Sequence, residues 1–196
     1  MSMEEAALTP LQVYVLLHLR RANTDYAKGI ARKLGLRQEE VVPVLAQLER
    51  MHLVERSPGS AIKRSEARFK LAHEVRKHHL YYTLTRGGRH KVRSLLGAGI
   101  QRYLRERYSA EAPDVLEVLR RSGCENHLVT ARLVSMPGEQ AKELLERMRR
   151  EKLVEACTAK VLKRKHRKAK AKKETRTHHT YYRLSRMGEL LLRGVL

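Results

Sequence analysis

The chain has 196 residues, with 42 Lys and Arg against 21 Asp and Glu, a formal net charge of +21 and a pI near 10.5. Hydrophobic residues make up 42%, which excludes wholesale disorder and suits one large domain or two of near-minimal size. Self-repulsion at this charge calls for a polyanionic partner, nucleic acid or acidic lipid, while no apolar run approaches the ~18 residues of a membrane span.

In chain order, Met1-Ser2-Met3-Glu4-Glu5 is acidic and lacks the basic-then-apolar pattern of a secretory signal. Leu11, Val15, Leu16 and Leu19 form an apolar stripe at helical spacing. Asn23 and Asp25 are positioned to cap a second helix carrying Ile30, Ala31 and Leu34, with Gly35 as its stop. Val41, Val44, Leu45 and Leu48 predict the buried face of a third helix. Pro43 must lie in that helix's first turn or kink it. Leu53-Val54-Glu55 starts a strand, a long basic stretch comes next, and residues 78–85 read as the returning strand. Period-2 alternation puts Leu80, Tyr82 and Leu84 on one face and His79, Tyr81 and Thr83 on the other. Residues 88–107, with Val92, Leu95, Leu96, Tyr103 and Leu104, read as a helix that joins this set of elements to a second one.

The chain then repeats itself at an offset of one hundred positions. Val15, Leu16, Leu19, Arg20 and Arg21 fall on Val115, Leu116, Leu119, Arg120 and Arg121. Leu53-Val54-Glu55 falls on Leu153-Val154-Glu155, and Lys63-Arg64 on Lys163-Arg164. His78-His79-Leu80-Tyr81-Tyr82-Thr83-Leu84 falls on His178-His179-Thr180-Tyr181-Tyr182-Arg183-Leu184, and Arg86 and Gly88 on Arg186 and Gly188. One offset holds throughout, so the chain is a tandem duplication. In the second copy Ala141, Leu144, Leu145 and Met148 repeat the third-helix face, with Ser135 as N-cap and Pro137 in the first turn. The C-terminal run Leu190-Leu191-Leu192, with Val195 and Leu196, closes the second core or forms a dimer contact. Cys124 and Cys157 have no CxxC spacing and are read as ordinary core or surface residues in a cytoplasmic, reducing setting.

Three helices, a strand, a basic wing and a second strand is the order of a winged helix-turn-helix. The segments LAQLERMHLVER and LLERMRREKLVE, each leading to HHxYYxL[TS]R, resemble winged-helix domains of archaeal regulators and of poorly characterised archaeal proteins. The resemblance covers nearly the whole chain. It implies a mainly α fold with small β-hairpins (α+β): winged-helix domains at residues 8–88 and 109–196, joined by a linker helix at 89–108.

The charge is concentrated in the wings. The first holds Lys63, Arg64, Arg68, Lys70, Arg76 and Lys77 against Glu66 and Glu74, a net +4. The second holds Lys160, Lys163, Arg164, Lys165, Arg167, Lys168, Lys170, Lys172, Lys173 and Arg176 against Glu174, a net +9. Together they carry thirteen of the twenty-one net charges, and such hairpins neutralise phosphates with salt-sensitive, largely sequence-independent affinity. The third helices offer Arg37, Gln38 and Gln47 in the first copy and Lys142 and Arg147 in the second as groups for base edges. Their glutamates, Glu39, Glu40, Glu139 and Glu143, would repel phosphate.

His79 and His179, with Tyr81 and Tyr181, are expected on the outer sheet face near the wings, contacting phosphate or stacking on bases. Alternatively the two tyrosines pack on the linker helix. Adjacent strand residues point apart, so His78 and His79 do not make a metal site, and no cofactor is expected. No phosphate-cradling glycine loop, nucleophile motif or paired carboxylates mark an enzyme. The expected function is binding of duplex DNA by a monomeric or homodimeric regulator or chromatin-associated factor, the second copy anchoring and the first choosing. The runner-up is an RNA-binding, ribosome-associated factor, and a protein scaffold is the third class.

Overall fold

The computed structural model describes residues 8–58, 79–158 and 180–193. The chain divides into one compact unit up to Tyr103 and a second from Leu104 to Leu192. Each is mainly helical with a small antiparallel sheet.

In the first unit, helix α1 (Pro10–Ala22) starts at a capping box: the Thr9 hydroxyl accepts from the Gln12 N–H, and Gln12 Oε1 accepts from the Thr9 N–H. Val13, Val15, Leu16 and Leu19 are fully buried, so α1 is wrapped beyond its predicted stripe. The expected caps serve elsewhere. Asn23 ends α1 at a positive φ of 62°, and Asp25 in strand β1 (Thr24–Asp25) turns its carboxylate onto His18, at 2.9 Å. Tyr26 takes the N-cap of α2 (Ala27–Leu34) with no side-chain cap bond, and Gly35 ends that helix in the left-handed region (φ +67°). Helix α3 (Gln38–Arg50) buries Val41, Leu45 and Leu48. Pro43 lies in its second turn, not its first, and the helix continues to Arg50. Pro43 and Glu39 are both exposed, so solvent reaches the carbonyl that Pro43 leaves without a donor.

Strands β2 (Val54–Pro58) and β3 (Leu80–Leu84) pair antiparallel, Val54 opposite Leu84 and Pro58 opposite Leu80. β1 lies on the other edge, giving the order β1-β3-β2. The predicted alternation fails at two residues. Leu80 is 50% exposed, whereas Tyr81 is fully buried beside Tyr82. At Tyr81 the cause is Tyr26, whose ring meets it edge-on at 5.6 Å and covers the face expected to be open. Tyr181 is only half-buried, because Asn126 stands where the first copy has Tyr26.

One motif closes both units. The Thr85 hydroxyl caps α4 (Arg86–Ser94) by accepting from the Gly88 N–H, and donates to the His52 carbonyl at 2.6 Å. Ser185 does the same with Gly188 and Lys152 ahead of α9 (Arg186–Leu192). A Cβ on Gly88 would lie 1.9 Å from the Leu53 carbonyl oxygen, and one on Gly188 2.2 Å from that of Leu153. α4 then packs on α1, and α9 on α6 (Ala112–Ser122), with Leu191 buried in the second core.

The expected linker helix over 89–108 is two helices, α4 and α5 (Gly99–Arg107). Gly97 breaks them at φ +58°, and Gly99 lies so close to the Ser94 carbonyl that a Cβ would sit 2.2 Å from it. The second unit continues after α6 with β4 (Glu125–Asn126), α7 (His127–Leu133), α8 (Gly138–Arg150), β5 (Val154–Cys157) and β6 (Tyr181–Leu184), the sheet ordered β4-β6-β5. Ser135 does not cap α8: it takes φ +56°, and Pro137 holds the N-cap itself.

The reading of the cysteines is corrected. Cys124, just before β4, and Cys157, the last residue of β5, form a disulfide with Cα atoms 6.3 Å apart. Only the fold brings them together, across a sequence separation of 33, and an oxidised pair removes their support for a reducing compartment.

Two outcomes are expected. Gly88→Ala should destabilise the first unit by about 1–3 kcal/mol, read by denaturant titration, because backbone must give way to the methyl group. Reducing the disulfide should cost the second unit about 3–4 kcal/mol by the loop-closure relation and leave the first unit's calorimetric transition in place.

Candidate nucleic-acid interface

Most residues expected to meet phosphate lie outside the described residues: Lys63, Arg64, Arg68, Lys70, Arg76 and Lys77, and Lys160, Lys163, Arg164, Lys165, Arg167, Lys168, Lys170, Lys172, Lys173 and Arg176, with His179. The strands that carry them are described. β2 and β3 pair to Pro58–Leu80, and β5 and β6 to Cys157–Tyr181, so each basic segment leaves and re-enters its sheet at one end. His79 is half-buried, its ring edge-on to Tyr26 at 4.6 Å. It lies beside Tyr81, as the alternation expects, with Tyr26 packed against both rings and partly covering that face.

The residues of the third helices divide. In α3, Arg37 stands at the N-cap with its side chain 82% exposed, while its backbone N–H donates to Glu40 at 2.9 Å. Gln38 is exposed beside it. Gln47 Oε1 accepts from Gln12 Nε2 at 3.0 Å, tying α3 to α1. In α8, Lys142 pairs with Glu139 at 3.8 Å. Arg147 turns back onto its own unit: Nη2 donates to the Arg107 carbonyl at 2.5 Å, and the guanidinium lies 5.0 Å from the centre of the Tyr108 ring. Gln47 and Arg147, both expected as base readers, are exposed and at the same time tie their helices to neighbouring segments.

Sequence reasoning missed the group that engages Arg147. Arg107 makes two hydrogen bonds to the Glu151 carboxylate, Nε to Oε2 at 2.9 Å and Nη2 to Oε1 at 2.5 Å, and the Tyr108 hydroxyl donates to Oε2. The first copy has Ala7, Leu8, Gln47 and Met51 at the positions of Arg107, Tyr108, Arg147 and Glu151. That four-residue departure from the repeat was the available signal. The buried His18–Asp25 pair was missed likewise, although the second copy has Val118 and Glu125 there. Among the described residues no group of three or more His, Cys, Asp or Glu is placed to hold a metal ion, and no helix is long and apolar enough to cross a membrane.

Elsewhere on the folded surface, several acids pair locally with bases. Glu117 is held at about 2, chiefly by hydrogen bonds from Arg120 and Arg121. Glu49 pairs with Arg56 at 2.9 Å and Glu155 with Arg183 at 2.7 Å. Glu146 accepts from the Tyr182 hydroxyl and from Arg149, which holds it below the usual carboxylate range; burial and this bond push Tyr182 up to about 12.

Burial would raise Glu151, but the hydrogen bonds from Arg107 and Tyr108 outweigh it and the carboxyl is held low. A depressed folded value contributes stability that is present above the unfolded value, about 4.3, and lost as pH falls through the folded one. Glu151→Gln should therefore destabilise the second unit by about 1 kcal/mol at pH 7, after discounting for partial exposure. Urea titrations at pH 7 and pH 3 should find this difference closing at the lower pH.

The comparisons with known proteins bear on this arrangement. A crystal structure of the transcriptional regulator PA4135 is 22% identical over 62% of this chain and 82% of that one. Its TM-score of 0.37 is too low to carry an argument. Comparison with curated proteins finds no match. The chain does match a family twice, over residues 3–95 and 102–195, at the two copies of the duplication. It belongs to the family described as uncharacterized protein conserved in archaea (DUF2250).

Proposed function

We propose that the chain is a non-enzymatic, double-stranded DNA-binding protein, a transcription regulator or chromatin-associated factor, built from two tandem winged-helix domains. One observation carries this reading. Thirteen of the twenty-one net positive charges lie in two segments, each joining the paired strands of its sheet at the same position in the two copies. The other eight net charges lie in the rest of the chain, so the two segments hold the larger share of its positive charge. Each duplex phosphate neutralised there releases counterions, which makes affinity strong at low salt and steeply salt-dependent. The first wing carries +4 and the second +9, so the second copy supplies more of this sequence-independent term.

The test is binding of the full chain to random-sequence duplex DNA and to structured RNA, titrated against salt. Preference for duplex is expected; preference for RNA would replace the proposal with an RNA-binding role. Replacing Lys163, Arg164, Lys165, Arg167 and Lys168 together with Ala should weaken binding to every duplex and flatten the log–log salt slope by up to about 4. Unchanged affinity in that variant would rule out the wing-centred mechanism.

A further inference from the structure

We infer that α4 of the first copy carries a further phosphate-binding surface, outside both basic segments, whose occupant is the sugar–phosphate backbone of duplex DNA. This rests on the proposed duplex-binding function and extends it to a helix that the sequence reads only as a connector. Residues 86–107 hold seven Lys and Arg against one acid, Glu106, so six of the eight net charges outside the basic segments fall there. Four of those cations, Arg86, Arg89, Lys91 and Arg93, lie on α4, and that helix contains no acid.

Their placement is one-sided. Arg86, Arg89, His90 and Arg93 recur at i, i+3, i+4 and i+7 and are all exposed, while Gly88, Val92 and Leu95 on the opposite side are buried. Arg89 Nη1 donates to the Leu84 carbonyl at 2.7 Å. The exposed Arg102 donates to the Ser94 carbonyl at 3.4 Å, which brings a fourth guanidinium to the end of the stripe. Among the described residues Arg86, Arg89 and Arg93 have no acidic partner. Other exposed helix faces mix the signs: Lys142 pairs with Glu139 and Arg149 with Glu146 on α8, and Arg120 and Arg121 with Glu117 on α6. Helix preference does not account for the stripe either, since the positive end of the helix dipole disfavours cations at the start of α4, where Arg86 and Arg89 stand.

The chemistry of the stripe selects its occupant. From Arg86 to Arg93 it runs about 10 Å at 1.5 Å per residue, the rise of roughly three phosphates along one strand. Guanidinium groups pair with phosphate oxygens through parallel N–H donors. A lipid surface takes up a helix by its apolar face, and the apolar face of α4 is buried in its own unit. A protein partner would seek an apolar centre, and no apolar side chain is exposed on α4. The stripe is also separate from the wing: the first basic segment enters β3 at Leu80, whereas α4 begins past Leu84, beyond the other end of that strand. The second copy has Glu189 and Leu190 at the positions of Arg89 and His90, so it lacks the stripe. The copy with the weaker wing, +4 against +9, is the one whose helix supplies it.

The experiment measures affinity of the full chain for random-sequence duplex DNA across a range of salt. Arg86→Gln combined with Arg93→Gln should weaken binding to every duplex alike and flatten the log–log salt slope by up to about 2, each phosphate contact contributing roughly 0.9. Added to the five-alanine variant of the second wing, the two losses should sum. Arg86→Lys with Arg93→Lys keeps the charge and should keep the slope. Arg86→Gln relieves a cation at the positive helix end, so unchanged or raised thermal stability excludes unfolding as the cause of any loss. Arg20→Gln with Arg105→Gln removes the same charge from other exposed sites and should leave the slope unchanged. A native slope in the Arg86 and Arg93 glutamine variant overturns the inference, as does an equal loss in the lysine variant or in the Arg20 and Arg105 pair. Each of these leaves the proposed function standing. Retained duplex affinity with lost binding to anionic phospholipid vesicles assigns the stripe to a membrane and likewise overturns the inference alone. Absence of duplex binding by the native chain at any salt overturns both.

Discussion

Each unit depends on the approach of a glycine to a carbonyl. Gly88 brings the start of α4 against the Leu53 oxygen, closer than any side chain would allow. The same Leu53 carbonyl accepts the Thr85 N–H at 3.2 Å, and the Thr85 hydroxyl bonds to the His52 carbonyl. Those contacts fix where β3 ends relative to β2 and so set the register of the hairpin. They also aim α4 back onto α1, closing a core too small to leave that helix uncovered. Gly188, Leu153, Ser185 and Lys152 repeat the arrangement. The Arg-x-Gly identity after the second strand is therefore architectural. With the register fixed at one end of the hairpin, the basic segment emerges at the other.

The copies fasten their first edge strand differently. In the first unit the Thr24 hydroxyl donates to the Tyr82 carbonyl at 3.2 Å and the Thr83 hydroxyl to the Asn23 carbonyl at 3.0 Å. Behind β1 lies the buried His18–Asp25 contact, with Tyr14 stacked on the His18 ring at 5.9 Å. The second unit has Cys124 in place of Thr24, Arg183 in place of Thr83 and Val118 in place of His18, so these side-chain links have no counterparts. The disulfide from Cys124 to Cys157, at the position of Ser57, takes over by joining the two outer strands of the sheet covalently. A two-residue strand such as β4 is a weak element by itself, and each unit needs such a fastening.

The parts of the fold legible in the sequence are those set by local period and by glycine. The buried faces of α3 and α8, the Gly35 stop, the return of the second strand and the duplication all derive from such signals. The parts that were not legible are decided by residues distant in sequence. Alternation along β3 assumes one open face, and Tyr26 closes it over Tyr81. Ser135 and Asn23 look like helix caps by composition, yet both take a positive φ in the turns between elements. The partners of Gln47 and Arg147, Gln12 and Tyr108, lie far away in sequence and no local pattern announces them. In the interface, residue type revealed where charge collects but not which third-helix side chains the fold provides with partners.

Concentrating charge between strands has a physical rationale. Thirteen surplus positive charges packed on two small folded bodies would oppose their folding, because repulsion between nearby like charges is strong wherever water is partly excluded. In the sequence these charges fall between the strands instead, and charges in water are screened over roughly 8–10 Å at physiological ionic strength. The folded surface pairs several of its acids with nearby bases, as at Glu117 with Arg120 and Arg121. On the proposed function, these segments supply most of the sequence-independent part of affinity, the part that salt governs.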